Sequence, residues 1–507
     1  MVTLSELQAL GQPVSAHRPW PRTLLTAPTW RHVADRLAAG ELTLLGLWGE
    51  PATMHMAVLG AGERPAVAVF SIDCPDGRFP SIGQVHAPAI RLERAARDLF
   101  GLDPVGLSDA RPWLDHGAWG IARPLASPPG EVGQARPYEF LPVEGDDLHE
   151  IPVGPVHAGI IEPGHFRFTA DGETVVRLEA RLGYTHKGQE ALLRGADLDR
   201  AAKLAGRVSG DSTVAYALAF ARAVEAALEI EVPARAVWLR ALMAELERIA
   251  NHFGDIGGVC NDAAFSIMLA HCGILRERVL RAAAGCFGHR LMMDRIVPGG
   301  VATDLDADGV ALLRALLKEL RLRFPPLVAL YDNTASLQDR TASTGIVHPD
   351  LARRFGAGGH VGRASGRDFD ARRNLGYPPY DTLSFEVPVL NEGDVNARVW
   401  IRIREIEQSL GLIEQILDRL PDGPVCVAVA ERGAEEPREG IAIVEAFRGD
   451  VLAWLRIGAD GRIARCHLRD ASWFQWPLVE AAVEGNIVAD FPLCNKSFNC
   501  SYSGHDL

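Results

Sequence analysis

The side chains best suited to hold a transition metal in this chain of 507 residues are its eight cysteines, Cys74, Cys260, Cys272, Cys286, Cys426, Cys466, Cys494 and Cys500. None forms a C-x-x-C pair. With no secretory segment evident at the start, where Pro19, Pro21 and Pro28 interrupt any apolar core, they read as reduced thiols of a cytoplasmic protein. Asp304-Leu305-Asp306-Ala307-Asp308-Gly309 opens like a calcium loop, but Ala315 stands where the twelfth-position Glu would ligate. That stretch is expected to be a turn before a helix starting near Val310. Gly356, Gly358, Gly359 and Gly362 follow no evident strand, so they predict a flexible loop and not a dinucleotide fingerprint. Glu245, Arg248 and His252 share one side of a helix, where charged groups most often form a solvated face.

The elements that must position these groups fall into two blocks. Residues 1–120 predict a small α/β unit, with a hairpin of Met54–Leu59 and Ala66–Ile72 and a helix from Pro88 to Phe100 capped by Gly101. A proline-rich stretch, 121–150, predicts an extended linker. From 151 a hairpin turns at Asp171-Gly172, helices follow from about 188 to 330, and the next long helix spans 396–420. On that helix Val399, Ile403, Ile406, Leu410, Ile413 and Leu417 repeat at helical spacing, as do Trp238, Leu242, Leu246, Ile249 and Phe253 earlier. Strands are expected at Ile441–Phe447, Val451–Ile457 and Ile463–Leu468. The fold class is therefore α+β: a small α/β domain, then a large, mainly helical domain (151–507) with small β pieces at its start and end. No apolar run is long enough to span a bilayer. A net charge of −13 argues against nucleic acid as the main partner.

Several segments resemble the fused large subunit of group 4 (formate hydrogenlyase or hydrogenase-4 type) nickel–iron hydrogenases, and through it two complex I subunits. Leu92-Glu93-Arg94-Ala95-Ala96-Arg97-Asp98-Leu99-Phe100-Gly101 is similar to the E-R-E-x-x-D-L-F-G signature of complex I's small peripheral-arm subunit, with Ala95 for its second Glu. Gly154-Pro155-Val156-His157 through Phe168 resembles the opening hairpin of the large subunits. Gly183-Tyr184-Thr185-His186-Lys187-Gly188-Gln189-Glu190 resembles G-Y-x-H-[KR]-G-x-E, and Glu245 through His252 resembles E-L-E-R-I-x-N-H. Arg363-Ala364-Ser365-Gly366, Asp370-Ala371-Arg372 and Tyr377-Pro378-Pro379-Tyr380 continue the match, which covers roughly residues 85–507. The resemblance implies that Glu245, Arg248 and His252 are buried or interfacial, with paired charges.

Such hydrogenases hold their metals on two C-x-x-C pairs. The first would fall in Arg207-Val208-Ser209-Gly210-Asp211-Ser212, against R-V-C-G-I-C; the second in Ser497 through Asp506, which puts Ser501 and Gly504 at the ligand places. A serine hydroxyl stays protonated at neutral pH and is a hard, weak ligand. A register shift would supply only the single thiol of Cys500. The resemblance thus implies no nickel–iron centre and no cofactor bound by this chain. It implies instead a repurposed cavity, like the quinone site of complex I, lined by His157, Glu190, Arg207, Ser209, Ser212, Ser501 and Arg448. There Arg207 and Arg448 would stabilise charge on a reduced acceptor, and His157 and Glu190 would pass protons. Phe447 replaces the proline of the family's P-R-G. The implied partners are a small subunit carrying a 4Fe-4S cluster and antiporter-like membrane subunits, which would place the chain on the cytoplasmic membrane face. A hydrogenase with atypical ligands and a non-redox coupling subunit stand as alternatives.

Overall fold

The computed structural model describes the chain apart from residues 1–2, 63–64, 132–136, 146, 160 and 430–435. The fold is α+β, as expected. In the first block a five-stranded sheet runs in the order Gln12–Val14, Arg22–Leu25, Val67–Asp73, Thr53–Gly60, Leu42–Glu50. Its central pair is the expected hairpin, Thr53–Gly60 against Val67–Asp73, with Met56 opposite Phe70. The helix Ile90–Phe100 follows and ends at Gly101, which takes φ +75°. The family signature on this helix explains itself in contacts. Glu93 is fully buried and accepts from Ser81 Oγ and Ile82 N, each at 2.6 Å. Asp98 Oδ2 accepts from the backbone of Trp113, Leu114 and Asp115 at 2.6–3.2 Å, tying down the incoming loop.

The second block opens on a three-stranded sheet, Thr174–Arg181, His165–Asp171, Leu148–Val153. Its helical core is built on Ala234–Asp262, which packs on Ser266–Phe287 and on Val395–Arg419. Leu242, Leu246, Ile249 and Phe253 are fully buried, and the predicted stripe of Val395–Arg419 faces the same core. The helix Thr213–Leu228 lies across Arg438–Ala446 and Gly449–Ile457, the middle strands of a four-stranded sheet. The edge strand of that sheet, His17–Arg18, comes from the start of the chain and pairs parallel to Glu439–Gly440.

Two local expectations need correction. The helix after the calcium-like loop begins earlier, at Ala307, because Asp306 is its cap and accepts from Gly309 N at 2.7 Å. Asp308-Gly309 therefore sits in its first turn. The glycine cluster is not a flexible loop: Gly358 caps, and Gly359 and Gly362 lie in, a short buried helix, Gly359–Ala364, whose start presses on another backbone. A Cβ on Gly359 (φ +60°) would lie 2.1 Å from the carbonyl oxygen of Arg448, so only glycine lets the two segments meet.

Candidate functional site

Four family motifs, far apart in sequence, converge on one crevice. Ser209 precedes a short turn, Gly210–Ser212, that leads into the helix Thr213–Leu228. The start of that helix is held by Glu247 of Ala234–Asp262, whose carboxylate accepts from Val214 N (2.7 Å) and Ala215 N (3.1 Å). These are donors that a helix N-terminus leaves without intrahelical partners. Burial pushes the Glu247 carboxyl up to about 8. One turn on, Asn251 Nδ2 donates to Asp211 O at 2.8 Å and fixes the turn. Lys187 Nζ donates to Val208 O at 2.7 Å. Thr185 donates from N and Oγ1 to Asp506 Oδ2, so the 183–188 segment clasps both the Ser209 turn and the 501–506 segment.

At the centre the Arg448 guanidinium meets the Asp211 carboxylate in a two-bond fork, Nη1–Oδ1 2.8 Å and Nη2–Oδ2 2.6 Å. The same guanidinium donates to Ser212 Oγ (3.1 Å) and Asn499 O, and lies 4.4 Å from the Phe447 ring centre. Arg448 occupies the turn between two strands, with its carbonyl gripped by Gln475 Nε2 at 2.7 Å. Ser209 Oγ donates to Asp211 Oδ1 at 2.8 Å, and the Ser209 and Ser501 hydroxyls are 2.9 Å apart. Ser501 Oγ in turn accepts from Gly504 N at 2.9 Å. The Arg448 side chain is 5% exposed and that of Asp211 35%, so the pair opens to solvent on the carboxylate side. Burial works to raise the Asp211 carboxyl, but Arg448 and Ser209 outweigh it and hold it below its ordinary value.

This arrangement does not fit a nickel–iron centre. The four ligand places present three hydroxyls and a glycine, which offer only hard, weak donors or none where nickel needs thiolates. Asp211, which replaces the isoleucine of the motif, is spent on the Arg448 guanidinium. Cys500 is buried 3.8 Å from Gln475 Oε1, and burial raises its thiol, which stays protonated. Among the described residues no group of three or more His, Cys, Asp or Glu is placed to hold a metal ion.

Ser209, Ser212, Ser501 and Arg448 are brought together; the other three residues assigned to the cavity have different partners. The Arg207 guanidinium is exposed and turns away to form a two-bond pair with Asp294, 2.7 Å for each bond. Glu190 is buried against Arg465 (3.1 Å) and His467 Nδ1 (2.7 Å). Burial alone would raise its carboxyl, but Arg465 and His467 hold it at about 2, so the expected shift toward neutrality does not occur. His157 is half-buried, with Nε2 3.5 Å from the hydroxyl of Tyr502, the neighbour of Ser501. Sequence reasoning missed Asp211, Glu247 and Asn251. The isoleucine-to-aspartate change inside the first motif was the available signal for Asp211.

Behind the crevice lies a buried charge cluster built from the remaining motifs. Glu245, Arg248 and His252 are 1% exposed or less, as the family resemblance implies and contrary to a solvated face. Glu405 accepts from Arg363 Nε (2.8 Å) and stands 2.8 Å from His252 Nε2. Arg363 also reaches Glu445 (2.9 Å), and Glu245 holds Arg372, Tyr380 and Ser409 at 2.6–2.9 Å. Arg402, which bonds Asp255 at 3.1 Å, links the cluster's neighbourhood to the crevice, since Asp255 also accepts from Asn499 Nδ2 at 2.8 Å.

Fold and motifs together define a hydrogenase-type large subunit, here with three serines and a glycine at the four ligand places. Known proteins agree on the class. Residues 187–254 match the nickel-dependent hydrogenase family, and residues 262–437 match the respiratory-chain NADH dehydrogenase 49 Kd subunit family. Formate hydrogenlyase subunit 5 of Escherichia coli (strain K12) is 32% identical over 470 residues, which is 90% of this chain and 82% of that protein. A subunit of the NADH-quinone oxidoreductase of Desulfotalea psychrophila is 30% identical over 355 residues, 69% of this chain and 95% of that one. A chain in the structure of the membrane-bound sulfane sulfur reductase, an archaeal respiratory membrane complex, superposes with a TM-score of 0.67 at 28% identity, covering 72% of this chain and all of that one. The chain belongs to the family of formate hydrogenlyase and hydrogenase-4 large subunits related to complex I. Among the described residues no helix is long and apolar enough to cross a membrane.

Proposed function

We propose that this chain is the large subunit of a membrane-bound, ion-translocating redox complex that works without a nickel–iron centre. In this reading it sits on the cytoplasmic membrane face through antiporter-like partners. Its crevice handles a quinone or another small electron acceptor, sulfane sulfur among them, next to a 4Fe-4S cluster in a partner small subunit. The observation that carries the proposal is the Arg448–Asp211 fork held between Ser209, Ser212 and Asn499 where the family keeps its metals. Arg448 is a rigid, permanently charged donor positioned to stabilise negative charge developing on an acceptor, and the serine hydroxyls supply neutral donors beside it. A second reading, a coupling subunit without redox chemistry, is favoured by one feature: these groups satisfy one another's hydrogen bonds.

The two readings separate in the purified complex. With its clusters reduced, quinone is added and cluster re-oxidation is followed. The acceptor reading expects re-oxidation that slows about tenfold or more in Arg448→Lys, which keeps the charge but loses the fork. An unchanged rate, or no re-oxidation by quinone or sulfane sulfur, supports the coupling reading.

A further inference from the structure

An acceptor that takes electrons from a neighbouring cluster gathers negative charge until protons reach it, and the crevice's own residues supply none. Near pH 7 the Ser209, Ser212 and Ser501 hydroxyls keep their protons, and the Arg448 guanidinium stays charged. Asp211 has already given up its proton, because Arg448 outweighs burial and holds its carboxyl below its ordinary value. Glu190 is ionised too: against the pull of burial, Arg465 and His467 hold it at about 2.

Glu247 is differently placed. Its buried carboxyl accepts from Val214 N and Ala215 N, while the adjacent Arg248 turns to Glu245 (3.4 Å) and Glu405 (3.6 Å) instead. A buried carboxyl with no cation against it favours its neutral form, and burial, only partly offset by the two backbone donors, brings Glu247 to about 8. One small cavity is lined by Glu247, by Asp211 of the crevice and by Arg290, whose side chain is 55% exposed. Its volume of about 10 Å³ is near the least that admits one water. Asn251 holds both acids in one frame, since its Nδ2 donates to Asp211 O (2.8 Å) and to Glu247 O (2.9 Å). The charged groups around Glu247 are Asp211 from the Gly210–Ser212 turn, Arg276 from Ser266–Phe287, Arg290 from the loop beyond it, and Arg248 on its own helix.

We propose that Glu247 delivers protons to the crevice, releasing each through one water in this cavity toward the Asp211 side and regaining it from solvent past Arg290. The inference rests on the acceptor reading above. Electrons come from the partner cluster and stay on the acceptor. A proton leaves the Glu247 carboxyl for the acceptor, and the carboxylate left behind takes another from solvent, so Glu247 is unchanged after each cycle.

The test follows cluster re-oxidation by added quinone in the purified complex from pH 6 to 10. In the wild type the rate should hold up to about pH 8 and then fall about tenfold per pH unit, as the loaded carboxyl is lost. Glu247→Gln, which keeps the size and loses the acid, should run about tenfold or more slower at pH 7 and show no inflection near 8. A purely structural role for Glu247 would lower the rate without removing the inflection. Leu291→Trp fills the cavity from its half-buried rim and leaves the carboxyl in place, so it guards against misfolding of the first variant. It should slow re-oxidation and keep the inflection. An inflection retained in Glu247→Gln, or a full rate in Leu291→Trp, would overturn this assignment and leave the acceptor reading standing. No re-oxidation of the wild type at any pH would overturn the acceptor reading and this inference with it.

Discussion

The Arg448–Asp211 fork makes a quantitative prediction. Its N–O distances of 2.6–2.8 Å put the charge centres about 4 Å apart, worth about 4 kcal/mol at an effective dielectric constant near 20. The Asp211 side chain is 35% exposed, so water screens part of this, and desolvation of the 5%-exposed Arg448 opposes more of it. A net coupling of about 2 kcal/mol remains as the expectation. The perturbations are Asp211→Asn, which keeps the shape and removes the charge, Arg448→Met, which keeps the length and removes the charge, and the pair together. Denaturant unfolding of the full chain, read at constant slope, gives the three losses. The double variant should lose about 2 kcal/mol less than the sum of the single ones. Additivity within about 0.5 kcal/mol would mean that the fork does not hold the crevice closed, and the reasoning from it would fail.

Glu93 should set a pH dependence. Burial pushes its carboxyl to about 7 in the folded chain, above its ordinary 4.5, so its contribution is fully present below about pH 4.5 and is lost as pH rises to 7. Glu93→Gln, whose amide can still bond Ser81 and Ile82, should remove a stability decline of about 3 kcal/mol across that window, measured by denaturation at each pH. Arg363→Met removes the partner that Glu405 and Glu445 share, both about 1% exposed, and should cost about 3 kcal/mol, with His252 and Arg248 still beside Glu405. Arg321→Met, which breaks the half-exposed pair with Glu414, should cost under about 1 kcal/mol in the same assay. Gly359→Ala should cost about 3 kcal/mol, by strain at φ +60° and by collision with the Arg448 carbonyl, seen as a lowered unfolding midpoint.

Much of the fold was legible because its elements are long and periodic. The stripe on Val395–Arg419 and the apolar runs either side of Asp460-Gly461 advertise their burial within a few residues. The start of the helix at Ala307 reads late because D-x-D-G resembles a turn, and only the Asp306–Gly309 bond distinguishes a cap from a loop. A run of glycines likewise does not say whether it is free or pressed on a distant backbone; the partner of Gly359 is Arg448. In the site, the lost thiolates and the surviving arginine were visible in the motifs. What filled the space was not, because the Asp211–Arg448 pair joins residues 237 positions apart and Glu190 finds His467 at a separation of 277. Local spacing carries no record of such pairings.

The central claim is that side chains, not metals, occupy this crevice. Elemental analysis of the purified, intact complex tests it directly, with nickel measured against the amount of this chain. The account predicts nickel far below one atom per chain, unchanged when the cells are grown with added nickel. One nickel per chain, lost on replacing Ser209, Ser212 and Ser501 by alanine, would contradict it.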